Sequence, residues 1–102
     1  MEDTTQTQTL IETAESMIDF YGSPELVVHN FTTKSGIEVF KKASANFKAK
    51  KKCLTIQNNM KEYKRMIDLF PDNRYYIDEY YKLETKFERL VKEYEIVSGK
   101  PF

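Results

Sequence analysis

The chain is poor in the residues that punctuate a fold or arm a reactive site. It contains one cysteine, one histidine, three glycines and three prolines in 102 residues. A lone cysteine, Cys53, excludes an intramolecular disulfide and a cysteine-rich metal centre. It points to a reducing compartment, the cytoplasm, which for a viral protein is the host cytoplasm. So little Gly and Pro leaves few turns, which suits a few long helices better than many short strands. No apolar run approaches the length of a membrane span, and no basic-then-apolar leader opens the sequence. Lys and Arg are missing from residues 1–31, which hold six acids. No phosphate loop, dinucleotide fingerprint, nucleophile elbow or metal-ligand cluster occurs, and a nucleophile–base pair would have to be Cys53 and His29. We therefore expect no enzyme activity, no cofactor, no metal and no small-molecule substrate.

What is present fits one domain, residues 1–102. Apolar residues at 40% and charged residues at 31% describe a folded chain rather than a disordered one. Residues 1–8, mostly Thr and Gln, read as a flexible tail. Thr9 with Glu12 makes a capping box ahead of a helix over 9–21, with Leu10, Ala14, Met17 and Tyr21 on its apolar side. Gly22 and Pro24 stop it. Residues 24–34 form a variable element. The stretch 26–40 reads either as a short helix, a loop and a new helix capped by Ser35, or as a β-hairpin, because Val27, Val28, Phe31, Ile37 and Val39 favour strands. A long helix follows over 35–70, ended by Pro71, and a last one over 73–97 begins after Asp72 as its cap.

Spacing then predicts how the helices meet. Tyr76, Tyr80, Leu83, Phe87, Leu90, Tyr94 and Val97 recur at alternating steps of four and three, as do Cys53, Ile56, Met60, Tyr63, Ile67 and Phe70. Two such seams joined by a tight Pro-Asp link imply a mainly α fold, an antiparallel coiled-coil-like hairpin with the N-terminal helix packed on it. Upstream, Ile37, Phe40, Ser44, Phe47 and Leu54 cluster on nearly the opposite side of the long helix from the later seam, at about 100° per residue. The changeover falls in the lysine run Lys48–Lys52. Either the helix breaks over 48–52, or one helix offers different faces to two partners.

Charge is segregated although the formal sum is zero. Residues 32–66 carry ten bases against two acids. Lys50, Lys51, Lys61, Lys64 and Arg65, with Gln57 and Asn58, lie away from the later seam and form a basic stripe about 23 Å long. A polar back is what any half-buried helix needs. The near-uniform sign exceeds that need and makes the stripe a candidate contact for nucleic acid or for an acidic protein surface.

Tyr75, Ile77, Tyr81, Val91 and Ile96 fall off or beside the last helix's seam. Apolar and aromatic surface on a helix already paired marks a candidate partner interface. The combined reading is a small non-enzymatic protein-binding or assembly protein of the regulator, inhibitor, adaptor or viral accessory kind. It acts through helical surfaces on another protein and on copies of itself. A nucleic-acid-binding protein using Lys50–Arg65 is the alternative.

Overall fold

The computed structural model describes residues 4–102. Among them lie α1 (Thr4–Tyr21), two single turns of 3-10 helix (Pro24–Leu26 and Val28–Asn30), α2 (Lys34–Leu69) and α3 (Arg74–Ser98), with no strand. The mainly α fold is thus the expected one, with α2 and α3 packed as a hairpin and α1 packed on the first part of α2. The chain divides into two compact units, Met1–Lys48 and Ala49–Phe102, and α2, about 54 Å long, runs through both. It is helical across 48–52, so the break considered there does not occur.

In the first unit, α1 begins at Thr4, so the tail expected over 1–8 is helical from that residue on, and its first three residues lie outside the described ones. Thr9 is an interior residue whose carbonyl accepts from the Thr13 hydroxyl at 2.9 Å; it is no cap. The buried side chains are Ile11, Ala14, Ile18, Val27 and Ala43, with Met17, Phe31, Val39, Phe40 and Phe47 packed against them. The buried face of α1 is therefore rotated from the expected one, and Leu10 and Tyr21 are about half exposed. Ala14 and Ala43, at 2% and 0% exposure, let the two helices approach closely. Beside them the buried Asn46 donates through Nδ2 to Glu15 Oε1 at 2.5 Å, a polar link that fixes the pairing of α1 with α2.

The β-hairpin alternative at 26–40 is not formed. Gly22, at φ 90, ends α1 by donating to the Ile18 carbonyl at 2.8 Å. The chain then winds locally, with Val27 N–H donating to Pro24 O, Asn30 to Val27 O and Phe31 to Val28 O, all within 3.1 Å. These short-range bonds satisfy the backbone, and Val27 serves the core as a fully buried plug instead of pairing in a sheet. Thr33, rather than Ser35, starts α2: its Oγ1 accepts from Gly36 N–H at 3.0 Å and its carbonyl from Ile37 N–H at 2.8 Å.

In the second unit, Cys53 and Ile56 of α2 meet Leu90 and Tyr94 of α3, with Ala49, Met60, Leu83, Phe87 and Val91 around them. Every one except Ala49 and Val91 belongs to the predicted seams. α2 ends at Leu69, ahead of Pro71. Asn73 takes the capping role expected of Asp72, its Oδ1 accepting from Tyr75 N–H at 3.0 Å. Gly99, at φ 72, closes α3 in the left-handed conformation and donates to Glu95 O at 2.9 Å. Beyond it the chain folds back, so that the Phe102 ring meets Phe87 and Tyr94 edge-on at 5.7 and 5.8 Å. No helix among the described residues is long and apolar enough to cross a membrane.

Candidate binding surfaces

A two-helix hairpin can bury one stripe of each helix and no more, because there is no third layer to cover the flanks. The second unit obeys this limit unevenly. All of its buried apolar side chains lie at the end where Cys53 and Ile56 face Leu90 and Tyr94; from Gln57 to Arg89, through the corner, no residue is buried. Half-buried aliphatic side chains such as Met60, Ile67 and Leu83 occupy that span together with a run of aromatic rings. Tyr63 and Tyr76 have ring centroids 6.3 Å apart, Phe70 and Tyr76 6.3 Å, Tyr75 and Tyr76 5.5 Å, and Tyr80 and Tyr81 6.2 Å. A side-chain hydrogen bond to Tyr75 holds the Tyr63 hydroxyl above its ordinary value, with the Tyr75 and Glu79 charges adding to the effect. The rings pack on one another and leave their outer faces wet. Leu69, Phe70, Tyr75 and Tyr81 are each exposed over half or more of their surface. Leu69 to Tyr75 also line a shallow open groove around the corner.

The residues singled out from sequence sort as follows. Tyr75, Tyr81 and Ile96 stand in solvent, and Ile96 is 83% exposed. Ile77 is half-buried. Val91 packs against the Cys53–Leu90 cluster, so much of its surface is spent inside the hairpin. Phe70, placed in the seam by its spacing, is 52% exposed, since the helix ends one residue before it. Leu69 was not anticipated as surface. The corner that exposes both is visible in the sequence only as Pro71.

Lys50, Lys51, Lys61, Lys64 and Arg65 are all exposed on α2. Arg65 donates through Nη2 to Glu62 Oε2 at 3.0 Å, which partly neutralises that end of the stripe. Leu54, 42% exposed, lies on the same side as Lys50, Lys61 and Arg65, within about 40° of each at about 100° per residue.

A third surface escaped the sequence reading. Phe20, directly opposite the buried face of α1 in helical phase, is 82% exposed and stacks edge-on against Tyr21 at 5.1 Å. Leu26 and Val28 are exposed just beyond it, with Asp19 and Glu25 as the neighbouring charges. The available signal was Phe20's position off the Ile11–Ala14–Ile18 spacing, in a segment without Lys or Arg.

His29 is exposed in the second 3-10 turn, and Cys53 is fully buried, where desolvation pushes its thiol up. No three His, Cys, Asp or Glu residues converge as a metal site among the described residues. Comparison with protein-family models, curated proteins and solved structures finds no match for this chain.

Proposed function

We propose that this chain is a small non-enzymatic binding and assembly protein that works by covering a surface of another protein, and that it associates with itself. The observation that supports this most is the hairpin's aromatic end, where Leu69, Phe70, Tyr75 and Tyr81 stay exposed beside a core that stops at Ile56 and Leu90. Tyr and Phe give large contact area at a small cost in rotamer freedom, and both are enriched in the buried centres of interfaces. A regulator, inhibitor or adaptor of the cytoplasm, cellular or viral, fits such a surface. Capture with the wild-type chain and with Tyr75→Ser plus Tyr81→Ser as bait tests the reading, together with sedimentation of both proteins. The double variant should keep its helix content and lose partner proteins or self-association. Equal behaviour of the two baits and equal sedimentation would overturn it.

A second reading rests on the exposure of all five stripe cations. A nucleic acid laid along α2 would release counterions from its phosphates, so its affinity would fall steeply with salt. Fluorescence anisotropy with duplex and single-stranded probes at low and high salt decides this, with Lys61→Glu plus Lys64→Glu as the control.

A further inference from the structure

We infer that the self-association joins unlike surfaces, with the Phe20-bearing end of α1 and the exposed carboxylates beside it, Asp19 and Glu25, in one copy seated on the basic stripe of α2 in another. The inference rests on the reading above, that the chain associates with itself, and it names the surfaces used.

The first argument is charge. Residues 1–48 hold seven acids and four bases, a formal −3, and residues 49–102 hold nine acids and twelve bases, a formal +3. Within the first unit the negative charge concentrates at residues 4–31, which contain no Lys or Arg. Asp19 and Glu25 there are exposed and adjoin Phe20 and Leu26 in sequence, Asp19 about 100° around α1 from Phe20. Within the second unit the positive charge concentrates on the back of α2, at Lys50, Lys61 and Lys64. A two-fold contact between identical faces would set carboxylate against carboxylate, or lysine against lysine. The charge-matched contact between copies of this chain is the unlike pair, α1 of one copy on α2 of another, made twice in a reciprocal dimer or once at each joint of a longer assembly.

The second argument is shape and desolvation. Thr13 and Ser16 share the outward side of α1 with Phe20, and their small side chains allow another helix to come close. Leu54 stands exposed among the lysines and offers an apolar patch for the phenyl ring. Each surface thus pairs one apolar centre with charges mainly of one sign, Glu62 beside Arg65 being the exception on α2, the arrangement of a charged rim around a desolvated contact. A phosphate backbone would use the lysines but leave Leu54 without a counterpart. The stripe also carries no aromatic ring on which a base could stack. The second copy is therefore the favoured occupant. Because the two faces differ, two copies either make the contact twice and close as a dimer, or make it once and leave a free face at each end for further copies.

Sedimentation velocity over a wide concentration range, at low and high salt, with four samples tests this: wild type, Asp19→Lys plus Glu25→Lys, Lys61→Glu plus Lys64→Glu, and an equimolar mixture of the two variants. All four substitutions are at exposed positions, and circular dichroism confirms unchanged helix content. Wild type should associate, and its affinity should fall about ten-fold or more as the Debye length shrinks from ~10 Å to ~3 Å. Each variant alone should be monomeric, since its two units then carry formal charges of like sign. The mixture should associate again, because the reversed faces match across the two proteins. A wild type that stays monomeric, variants that associate as well as wild type, or a mixture that stays monomeric would each overturn the inference. If the charge variants associate normally and Tyr75→Ser plus Tyr81→Ser does not, the aromatic end carries the self-contact, and the proposed binding function stands without this interface. Salt-sensitive binding of a duplex or single-stranded probe, lost in Lys61→Glu plus Lys64→Glu while self-association persists, would assign the stripe to nucleic acid and overturn the inference as well.

Discussion

Replacing Leu90 by alanine probes the hairpin where its core is complete. Leu90 is 7% exposed and packs with Cys53, Ile56 and Tyr94. The change removes three buried carbons, worth about 0.8 kcal/mol each, or roughly 2 kcal/mol after allowing for the residual exposure. Leucine-to-alanine changes in closed cores cost about 2–5 kcal/mol because a cavity term adds to the transfer term. Here the core is one layer thick, and neighbours such as the half-buried Phe87 can relax into the gap. The expected cost therefore sits near the lower bound, about 2–3 kcal/mol. Ile96 is the matched control, six residues along the same helix and 83% exposed. The same arithmetic gives it about 0.4 kcal/mol, which alanine's better helix propensity offsets. Urea unfolding followed by far-ultraviolet circular dichroism measures both. Leu90→Ala should lower the midpoint with an unchanged slope, and its melting temperature should drop by roughly 10–20 °C. If Leu90→Ala and Ile96→Ala agree within about 1 kcal/mol, the packing of α3 on α2 is wrong.

Cys53 gives an alkaline signature: burial favours its neutral thiol and raises its pKa above 9.0, so the unfolded chain releases that proton more readily. This contribution to stability is complete below pH 9 and is lost as pH rises through the folded-state value; Cys53→Ala should flatten the decline seen in denaturant midpoints, and an unchanged slope would refute the assignment. Asn73→Ala removes the side chain that accepts from Tyr75 N–H and should cost about 1 kcal/mol by the same unfolding assay, whereas Asp72→Ala should cost less than half of that. Asn46→Ala breaks the link to Glu15 between α1 and α2 and should cost about 1–2 kcal/mol, with earlier amide exchange in α1; unaltered exchange there would show that the link does not hold the helix.

The hairpin was legible because helix pairing is written as alternating steps of three and four, and Cys53, Ile56, Leu90 and Tyr94 occupy those steps in both helices. The buried face of α1 was not legible for a comparable reason. Leu10–Ala14–Met17–Tyr21 and Ile11–Ala14–Ile18 both satisfy helical spacing and share Ala14. The choice between them falls to Val27 and Ala43, which arrive from elsewhere in the chain. Caps failed where two candidates stood side by side: Ser35 with Glu38 has the sequence signature, but Thr33 is the residue placed to receive Gly36 N–H. Strand propensity misled at 26–40, because a β-branched side chain such as Val27 is equally useful as a buried plug on a 3-10 turn. The five cations of the basic stripe are exposed, since charge disfavours burial on a helix with apolar alternatives. Of the proposed partner surface, Tyr75, Tyr81 and Ile96 were placed in solvent by their phase alone. Val91 was not, because a seam's width depends on how closely the partner helix sits.

The balance of apolar residues links the fold to the proposed role. Among the described residues nine hydrophobic side chains are buried and thirteen large ones are exposed, so less of the apolar content is spent on the core than stands at the surface. Scattered exposure is ordinary for a folded chain, but Leu69, Phe70, Tyr75 and Tyr81 are gathered at one end of the hairpin. That end is held by ring–ring contacts at 5.5–6.3 Å and by the cap at Asn73, with no buried side chain beneath it. A ligand that covers it would add its binding free energy to folding, by about 2.7 kcal/mol at a hundredfold excess over Kd. On the proposed reading, then, substitutions at Tyr75 and Tyr81 leave the isolated chain's unfolding midpoint nearly unchanged and remove the stabilisation that a partner confers. Substitutions at Leu90 do the reverse: the midpoint falls, and any increment from a saturating partner persists. Measuring both increments separates the side chains that build the hairpin from those that use it.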